Sequence, residues 1–179
     1  MTCVVGVLSG GDVWLGADSL SANSTWAARL RKDPKLFQYG DFLLGFTTSY
    51  RMGQILQYEM AWPEYSGGDI FAWCVRDFVP AARKALKAGG FVETTNGKES
   101  GGCLLLGGHG RLFAIESDFQ VNEAAQGYAA IGGGADIALG ALHATRHDGP
   151  EFRVISALAV ADEFNIGVRG PFLIKRAGA

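Results

Sequence analysis

Thr2 is the residue of this sequence whose type and position lend themselves most directly to catalysis. An initiator methionine is normally trimmed when the next residue is small, so removal of Met1 would leave a threonine that carries both a hydroxyl and an α-amine. Because an α-amine has a pKa of about 7.7–8.0, it accepts a proton near neutrality without help from a histidine. The sequence therefore predicts a nucleophile and a general base on one residue.

Asp18 is the first polar group that local structure brings towards Thr2. Residues 3–8 and 13–17 are predicted to form two strands joined by a turn at 9–12, and the second strand ends at Asp18. Hairpin pairing then sets Asp18 roughly level with the start of the chain. Two interpretations stay open at this point: a catalytic carboxylate beside Thr2, or the turn or cap residue that Asp commonly is after a strand.

Other reactive side chains form no comparable group. The three cysteines (Cys3, Cys74 and Cys103) are odd in number and lack CxxC spacing, which predicts reduced thiols and no disulfide. Cys3 would become a terminal nucleophile only if Met1 and Thr2 were both removed. His143 and His147 are four residues apart on a predicted helix but have no acidic or cysteine partners nearby. We predict no metal and no cofactor.

Apolar periodicity predicts the elements that must position these residues. Strands are expected at 3–8, 13–17, 35–39, 42–46, 103–107, 111–116, 127–131 and 171–176, and helices at about 49–62, 69–88, 135–146 and 152–163. Pro80 is expected to kink or break the second helix. Residues 18–33 are expected to form a polar loop, and 89–102 a mobile loop. Segregated runs of strands and helices predict an α+β fold, a four-layer αββα sandwich with two antiparallel sheets between helix pairs.

Composition limits the function classes. A chain of 179 residues with 48% apolar and 19% charged residues suits a single domain over 1–179. The net charge is −2, and the longest basic cluster (Arg29, Arg31, Lys32, Lys35) is short, so nucleic-acid binding is not expected. There is no apolar run of membrane-spanning length and no signal-peptide pattern, which predicts a cytoplasmic protein without membrane contact.

Four segments in their order give the sequence its resemblance to a known family. These are TCVVGVLSGGDVWLGADS, KLFQYGDFLLGF, AAIGGGADIALGAL, and ADEFNIG followed by FLIKR. Together they resemble N-terminal-nucleophile hydrolases of the proteasome β subunit and HslV peptidase type, over nearly the whole chain. The resemblance implies a single proteasome-like domain and a threonine-type peptidase activity.

The resemblance also implies roles for individual residues. Thr2 would be the nucleophile, Asp18 the carboxylate that orients Lys35, and the backbone N–H of Gly45 the oxyanion donor. A lysine beside the α-amine would hold that amine neutral and basic. Asp162 and Asn165 are implied as assisting residues or as helix caps. An extended substrate would lie beside the strands near Ser21, Ala22 and Gly45. Leu43 would help line a side-chain pocket that favours apolar residues.

One departure from the family pattern concerns the glycine-rich turn. The family has Gly-Ser-Gly there, with a serine that contacts the terminal amine, whereas this chain has Gly133 at the serine position. The resemblance implies a peptide or unfolded-protein substrate, a homo-oligomeric ring and a separate ATP-dependent unfoldase. Two alternatives remain: a small-substrate amidohydrolase with the same nucleophile, and a non-catalytic assembly protein on the same fold, which Gly133 favours.

Overall fold

The computed structural model describes residues 2–22 and 28–178 of the chain. Its first part consists of paired short strands, as the glycine turns predict. They are β1 (Val4–Ser9), β2 (Asp12–Ala17), β3 (Leu20–Ala22), β4 (Ala28–Leu30), β5 (Leu36–Tyr39) and β6 (Phe42–Phe46). Gly10 and Gly11 have φ of 60° and 89°, the positive pair that a tight hairpin turn requires.

Helices follow in two groups. In the first, α1 (Tyr50–Gln54) runs into a π-helical turn (Ile55–Glu59), and α2 (Ile70–Trp73) runs through a second π-helical turn (Cys74–Phe78) into α3 (Val79–Ala88). Pro80 lies in the first turn of α3, where its missing N–H is tolerated. The helix continues through the position at which a kink or break was predicted, and a π-helical turn directly precedes α3. The second group is α4 (Ala135–Ala144) and α5 (Pro150–Phe164).

The remaining strands lie between and after the helices. They are β7 (Glu93–Thr95), β8 (Lys98–Ser100), β9 (Leu104–Gly108), β10 (Arg111–Ile115), β11 (Val121–Glu123), β12 (Tyr128–Ile131) and β13 (Leu173–Ala177). Two loop predictions are wrong. Residues 18–33 contain the β3–β4 pair, and 89–102 contain the β7–β8 hairpin, whose Asn96-Gly97 turn has positive φ at both residues.

Two larger antiparallel sheets organise these strands. One has the order β12-β1-β2-β13 and the other the order β11-β10-β9-β6-β5. Neighbouring strands in both sheets pair antiparallel, as the sequence predicts for an α+β fold. No helix within the described residues is long and apolar enough to cross a membrane.

Three apolar clusters fill the molecule, and each joins one pair of surfaces. The first joins the five-stranded sheet to α1–α3 and includes Leu44, Phe78 and Phe113. The second joins the four-stranded sheet to α4 and α5 through Val5 and Leu158. The third lies between the sheets and contains Val4, Leu15, Leu36, Leu43 and Leu105. Because β1 and β5 contribute to the third cluster, their N-terminal ends are held firmly at the edge of the core.

Candidate functional site

The register of the β1–β2 hairpin brings Asp18 beside the start of the chain. Val4 pairs with Ala17, so the next pair outward is Cys3 with Asp18. The Asp18 backbone N–H donates to the Cys3 carbonyl at 3.2 Å, and the Cys3 N–H donates to Asp18 Oδ1 at 3.0 Å. Thr2 is 6% exposed, which places the residue at the chain start in the body of the protein.

Asp18 and Lys35 form a buried ion pair at this point. Lys35 Nζ donates to Asp18 Oδ1 at 2.7 Å, and the two side chains are 2% and 0% exposed. The backbone N–H groups of Leu20 and Arg169 donate to the other oxygen, Oδ2, at 3.0 and 3.4 Å. Burial lowers the pKa of the Lys35 ammonium, and the charge and hydrogen bond of Asp18 oppose that shift. The carboxylate thus has the partners that a buried charge needs.

The glycine-rich turn holds the other side of Thr2. The Gly134 N–H donates to the Thr2 carbonyl oxygen at 3.2 Å. Gly132 has a φ of +99°, and a Cβ on it would fall on that same oxygen. Asn165 Nδ2 donates to the Gly133 carbonyl at 2.6 Å, so this side chain ties the turn to the end of α5. Asn165 therefore reaches the site through the turn.

Asp162 supports the site through the loop residues that contact Asp18. Its Oδ2 accepts from the Gly170 N–H at 3.0 Å, and its Oδ1 pairs with Arg169 Nε at 3.1 Å. Since the Arg169 N–H donates to Asp18, Asp162 fixes the loop that completes the surroundings of the buried carboxylate. The structure thus gives Asp162 a supporting position behind Asp18.

A cleft of about 290 Å³ opens beside Thr2. Ser21 and Ala22 of β3, the residues expected beside an extended substrate, are among the residues that line it. The described residues that line it are Thr2, Leu20, Ser21, Ala22, Arg31, Lys35, Phe46, Thr47, Thr48, Ser49, Tyr50 and Arg51. The cleft is therefore mainly polar, with hydroxyl groups on several sides.

Gly45 and Leu43 do not lie where the sequence analysis puts them. Neither lines the cleft. Leu43 is fully buried in the cluster between the sheets, and a Cβ on Gly45 would lie 2.5 Å from Val4 Cγ1 in that same layer. Because the Phe46 N–H donates to the Lys35 carbonyl, the N–H of Gly45 points the other way, to β9, where Gly45 pairs with Leu105. An oxyanion role for Gly45 and a pocket role for Leu43 do not fit these positions.

A strained turn at 47–49 lines the cleft, where Gly45 was expected to lie. Thr48 has a φ of 67°, and the Ser49 N–H donates to the Thr47 carbonyl at 2.7 Å, which together indicate a γ-turn with positive φ at its centre. The Thr47 N–H donates to the Cys103 carbonyl. Within residues 2–22 and 28–178, the Thr48 N–H has no such acceptor. Strain of this kind in a non-glycine residue is concentrated at functional sites.

Arg31 and Tyr50 form one wall of the cleft. The Arg31 guanidinium lies 3.9 Å from the centre of the Tyr50 ring and donates to both carboxylate oxygens of Asp33, at 2.8 and 2.5 Å. Burial raises the pKa of the Tyr50 phenol, and its hydroxyl is buried without a hydrogen-bond partner among the described residues. Sequence reasoning missed both residues, although Arg31 belongs to the basic cluster noted above.

Cys3 is the remaining nucleophilic side chain near the site. It is fully buried, and burial first, with the Asp18 charge second, raises the pKa of its thiol to about 12. The thiol therefore stays protonated near neutral pH and is a poor nucleophile. Within the described part of the chain, no three His, Cys, Asp or Glu side chains are grouped as a metal ion requires.

Comparison with solved structures identifies the fold. Thiobacillus denitrificans BPH, solved in complex with epoxomicin, superposes with a TM-score of 0.81 at 20% identity, over 99% of this chain and 98% of that one. Eukaryotic HslV from Trypanosoma brucei gives 0.72 at 16% identity, over 99% and 100%. Anbu (ancestral beta-subunit) from Yersinia bercovieri gives 0.72 at 16%, over 99% and 82%. No protein-family model and no curated protein matches the sequence. The chain therefore shares the fold of BPH, HslV and Anbu.

Proposed function

We propose that this chain is a threonine-type peptidase whose nucleophile is Thr2, exposed by removal of the residue before it. Met1 lies outside the described residues. The observation that supports the proposal most is the buried Lys35–Asp18 pair, hydrogen-bonded to the backbone directly after Thr2. Replacing a buried ion pair by apolar residues is often neutral or stabilising, so stability alone does not account for this pair. A lysine ammonium beside the α-amine disfavours a second positive charge and so keeps the amine available as a base.

The chemistry needs one residue and one water. Thr2 Oγ attacks the peptide carbonyl carbon while its hydroxyl proton passes to the α-amine, and a C–O bond forms. The ammonium then gives that proton to the leaving nitrogen as the C–N bond breaks, which leaves an ester on Thr2. A water that loses its proton to the same amine attacks this ester and releases the second product, and Thr2 regains its proton.

The oxyanion of each tetrahedral intermediate needs a donor in the cleft. We assign this role to the Thr48 backbone N–H in place of Gly45, because Thr48 lines the cleft and its N–H has no acceptor among the described residues. A preorganised donor of this kind typically contributes about 10²–10³ in rate. Ser21 and Ala22 form the edge along which an extended peptide would bind. Asp162 and Asn165 act as positioning residues, through the loop at Arg169 and the glycine turn.

The wider proposal concerns assembly and substrate. The three apolar clusters support the four-layer αββα order within a single domain over 1–179. On the resemblance to proteasome β subunits and HslV, the chain forms a homo-oligomeric ring in the cytoplasm and receives unfolded protein from a separate ATP-dependent unfoldase. Thiobacillus denitrificans BPH is one neighbour solved with epoxomicin, which supports a related peptide-binding site here.

One observation favours a second function. Gly133 stands at the family's serine position, so the serine hydroxyl that would contact the amine is missing. The Gly133 backbone carbonyl accepts a hydrogen bond from Asn165 Nδ2 at 2.6 Å. A non-catalytic assembly protein with the same fold would tolerate this loss, and such a protein would bind no covalent inhibitor.

Epoxomicin labelling separates these two functions. We expect the purified protein to take up one epoxomicin per chain, because a terminal threonine offers the hydroxyl and the amine together, and we expect Thr2→Ala to abolish labelling and peptide hydrolysis. Thr94→Ala is the matched control, since Thr94 is exposed on β7, and should label normally. Intact-protein mass spectrometry reads out both. Normal labelling of Thr2→Ala, or a correctly folded wild type that neither labels nor hydrolyses any peptide, would rule out the proposed nucleophile.

A further inference from the structure

Three cationic side chains line the cleft beside Thr2. Arg31, Lys35 and Arg51 line it, and no Asp or Glu does so among the described residues. The other lining groups are mostly hydroxyls, including those of Ser21 and Ser49. An apolar side chain would gain little here, because it would displace water from charged and polar groups without replacing their hydrogen bonds.

The two arginines are each paired with a carboxylate that does not line the cleft. Arg31 is paired with Asp33 and Arg51 with Glu59, the latter at 2.6 Å. Neither carboxylate is a lining residue. The two guanidinium groups are therefore fixed without placing negative charge in the wall itself.

Arg31 is the more preorganised of the two. Two of its five N–H donors are used by Asp33, and its Cζ lies over the Tyr50 ring, 3.9 Å from the ring centre. Stacking on an aromatic ring and pairing with one carboxylate leave the remaining donors in a fixed direction. A guanidinium held this way binds a second carboxylate at a lower entropic cost than a mobile side chain would.

We propose that Arg31 is a specificity-determining residue and that the cleft selects substrates with an Asp or Glu side chain next to the scissile bond. This inference rests on the proposed function, and it replaces the apolar preference that the sequence analysis drew from Leu43. Arg51 adds positive charge at the rim, and Tyr50 keeps Arg31 in position. The substrate class is thus an extended peptide with an acidic residue at the site of cleavage.

Binding to a non-hydrolysing variant tests the proposal directly. Three peptides, Ac-Ala-Ala-Xaa-Ala-Ala-amide with Xaa as Glu, Leu or Lys, are titrated into Thr2→Ala and followed by NMR. We expect the Glu peptide to bind about tenfold to a hundredfold more tightly than the Leu peptide, as a charge-assisted hydrogen bond allows. Added salt should reduce that ratio, because an exposed ion pair is screened.

Two substitutions assign the preference to a residue. Arg31→Gln in the Thr2→Ala background should remove most of the preference for Glu. Arg111→Gln is the matched control and should keep it, since Arg111 is likewise paired with a carboxylate, Glu123, and lies 5.7 Å from the centre of the Phe113 ring, but it is not among the lining residues. Circular dichroism should show the same folded state for both variants, and Arg31→Lys should retain part of the preference.

The outcomes distinguish this inference from the proposed function. Equal binding of the three peptides, tightest binding of Leu, or no binding of the Glu peptide overturns the acidic preference, whether or not the wild type hydrolyses peptides. A preference that survives Arg31→Gln overturns the assignment to Arg31. A Glu preference in a protein that neither labels with epoxomicin nor hydrolyses peptides keeps the acidic binding preference of the cleft and removes the peptidase.

Discussion

Lys35→Ala should lower the free energy of unfolding by about 3–5 kcal/mol, because it leaves the buried Asp18 carboxylate without its counter-ion. Asp18 is 0% exposed and sits 2.7 Å from the Lys35 ammonium, so water cannot replace the lost charge. We also expect hydrolysis to fall by about 10²–10⁴, since the α-amine would lose the charge that keeps it neutral. Urea denaturation at one fixed protein concentration, with peptide hydrolysis in parallel, measures both effects.

Two companion variants separate stability from catalysis. Lys32→Ala is the matched control, because Lys32 is an exposed lysine three residues away, and it should shift stability by no more than about 0.5 kcal/mol. Replacing both members of the pair by neutral side chains, with Lys35→Met and Asp18→Asn together, should recover part of the stability and none of the activity, because the asparagine oxygen can still accept a backbone hydrogen bond. An active double variant would show that the ion pair has only a structural role.

Gly132→Ala is the second substitution with a large expected effect. A methyl group there meets the Thr2 carbonyl oxygen, a backbone atom, and the residue also has a φ of +99°. Positive φ costs about 1–3 kcal/mol for a residue with a side chain, and the clash adds about 1–3 kcal/mol more. Because the clash displaces Thr2 itself, we expect hydrolysis to fall about a hundredfold or more. Thermal unfolding and epoxomicin labelling rates measure the two effects.

Gly67→Ala isolates the conformational part of this prediction. Gly67 has nearly the same φ, +98°, and a Cβ on it would meet nothing within 4 Å. It should therefore lose stability through strain alone and keep its full rate of labelling. Equal labelling rates in the two variants would mean that the glycine turn does not position Thr2.

The local sequence around the β1–β2 hairpin is enough to predict where Asp18 lies relative to Thr2. The glycine turn at 10–11 and the apolar runs on either side fix the β1–β2 hairpin, and the hairpin register alone brings Asp18 to the residue after Thr2. Lys35, by contrast, came from the resemblance, because it reaches Asp18 through tertiary packing of one sheet on the other. The periodicity of apolar residues likewise predicts that strands and helices occur in separate runs along the chain.

The misplacement of Leu43 and Gly45 has a clear physical cause. All five residues of β6 are buried, since one face packs on α1–α3 and the other on the four-stranded sheet. A strand that is apolar on both faces has no alternation to show which residues point which way. The sequence FLLGF therefore could not reveal that Leu43 and Gly45 face the second sheet.

The cleft could not be predicted from the sequence for a different reason. Its wall comes from β3, from the residue after β4 and from the turn at 47–49, which meet only in the folded chain. Arg31 appeared in the sequence as part of a basic cluster without a partner. The Asn96-Gly97 pair, in contrast, was a usable signal for the β7–β8 hairpin, because both residues tolerate positive φ.

The mass of the N-terminal peptide, before and after epoxomicin, measures the central proposal most directly. We predict that the untreated peptide begins at Thr2 and that the adduct forms on Thr2 alone. An N-terminal peptide that retains Met1, or an adduct on any other residue, would contradict the proposal that an unblocked α-amine lies beside the Lys35–Asp18 pair.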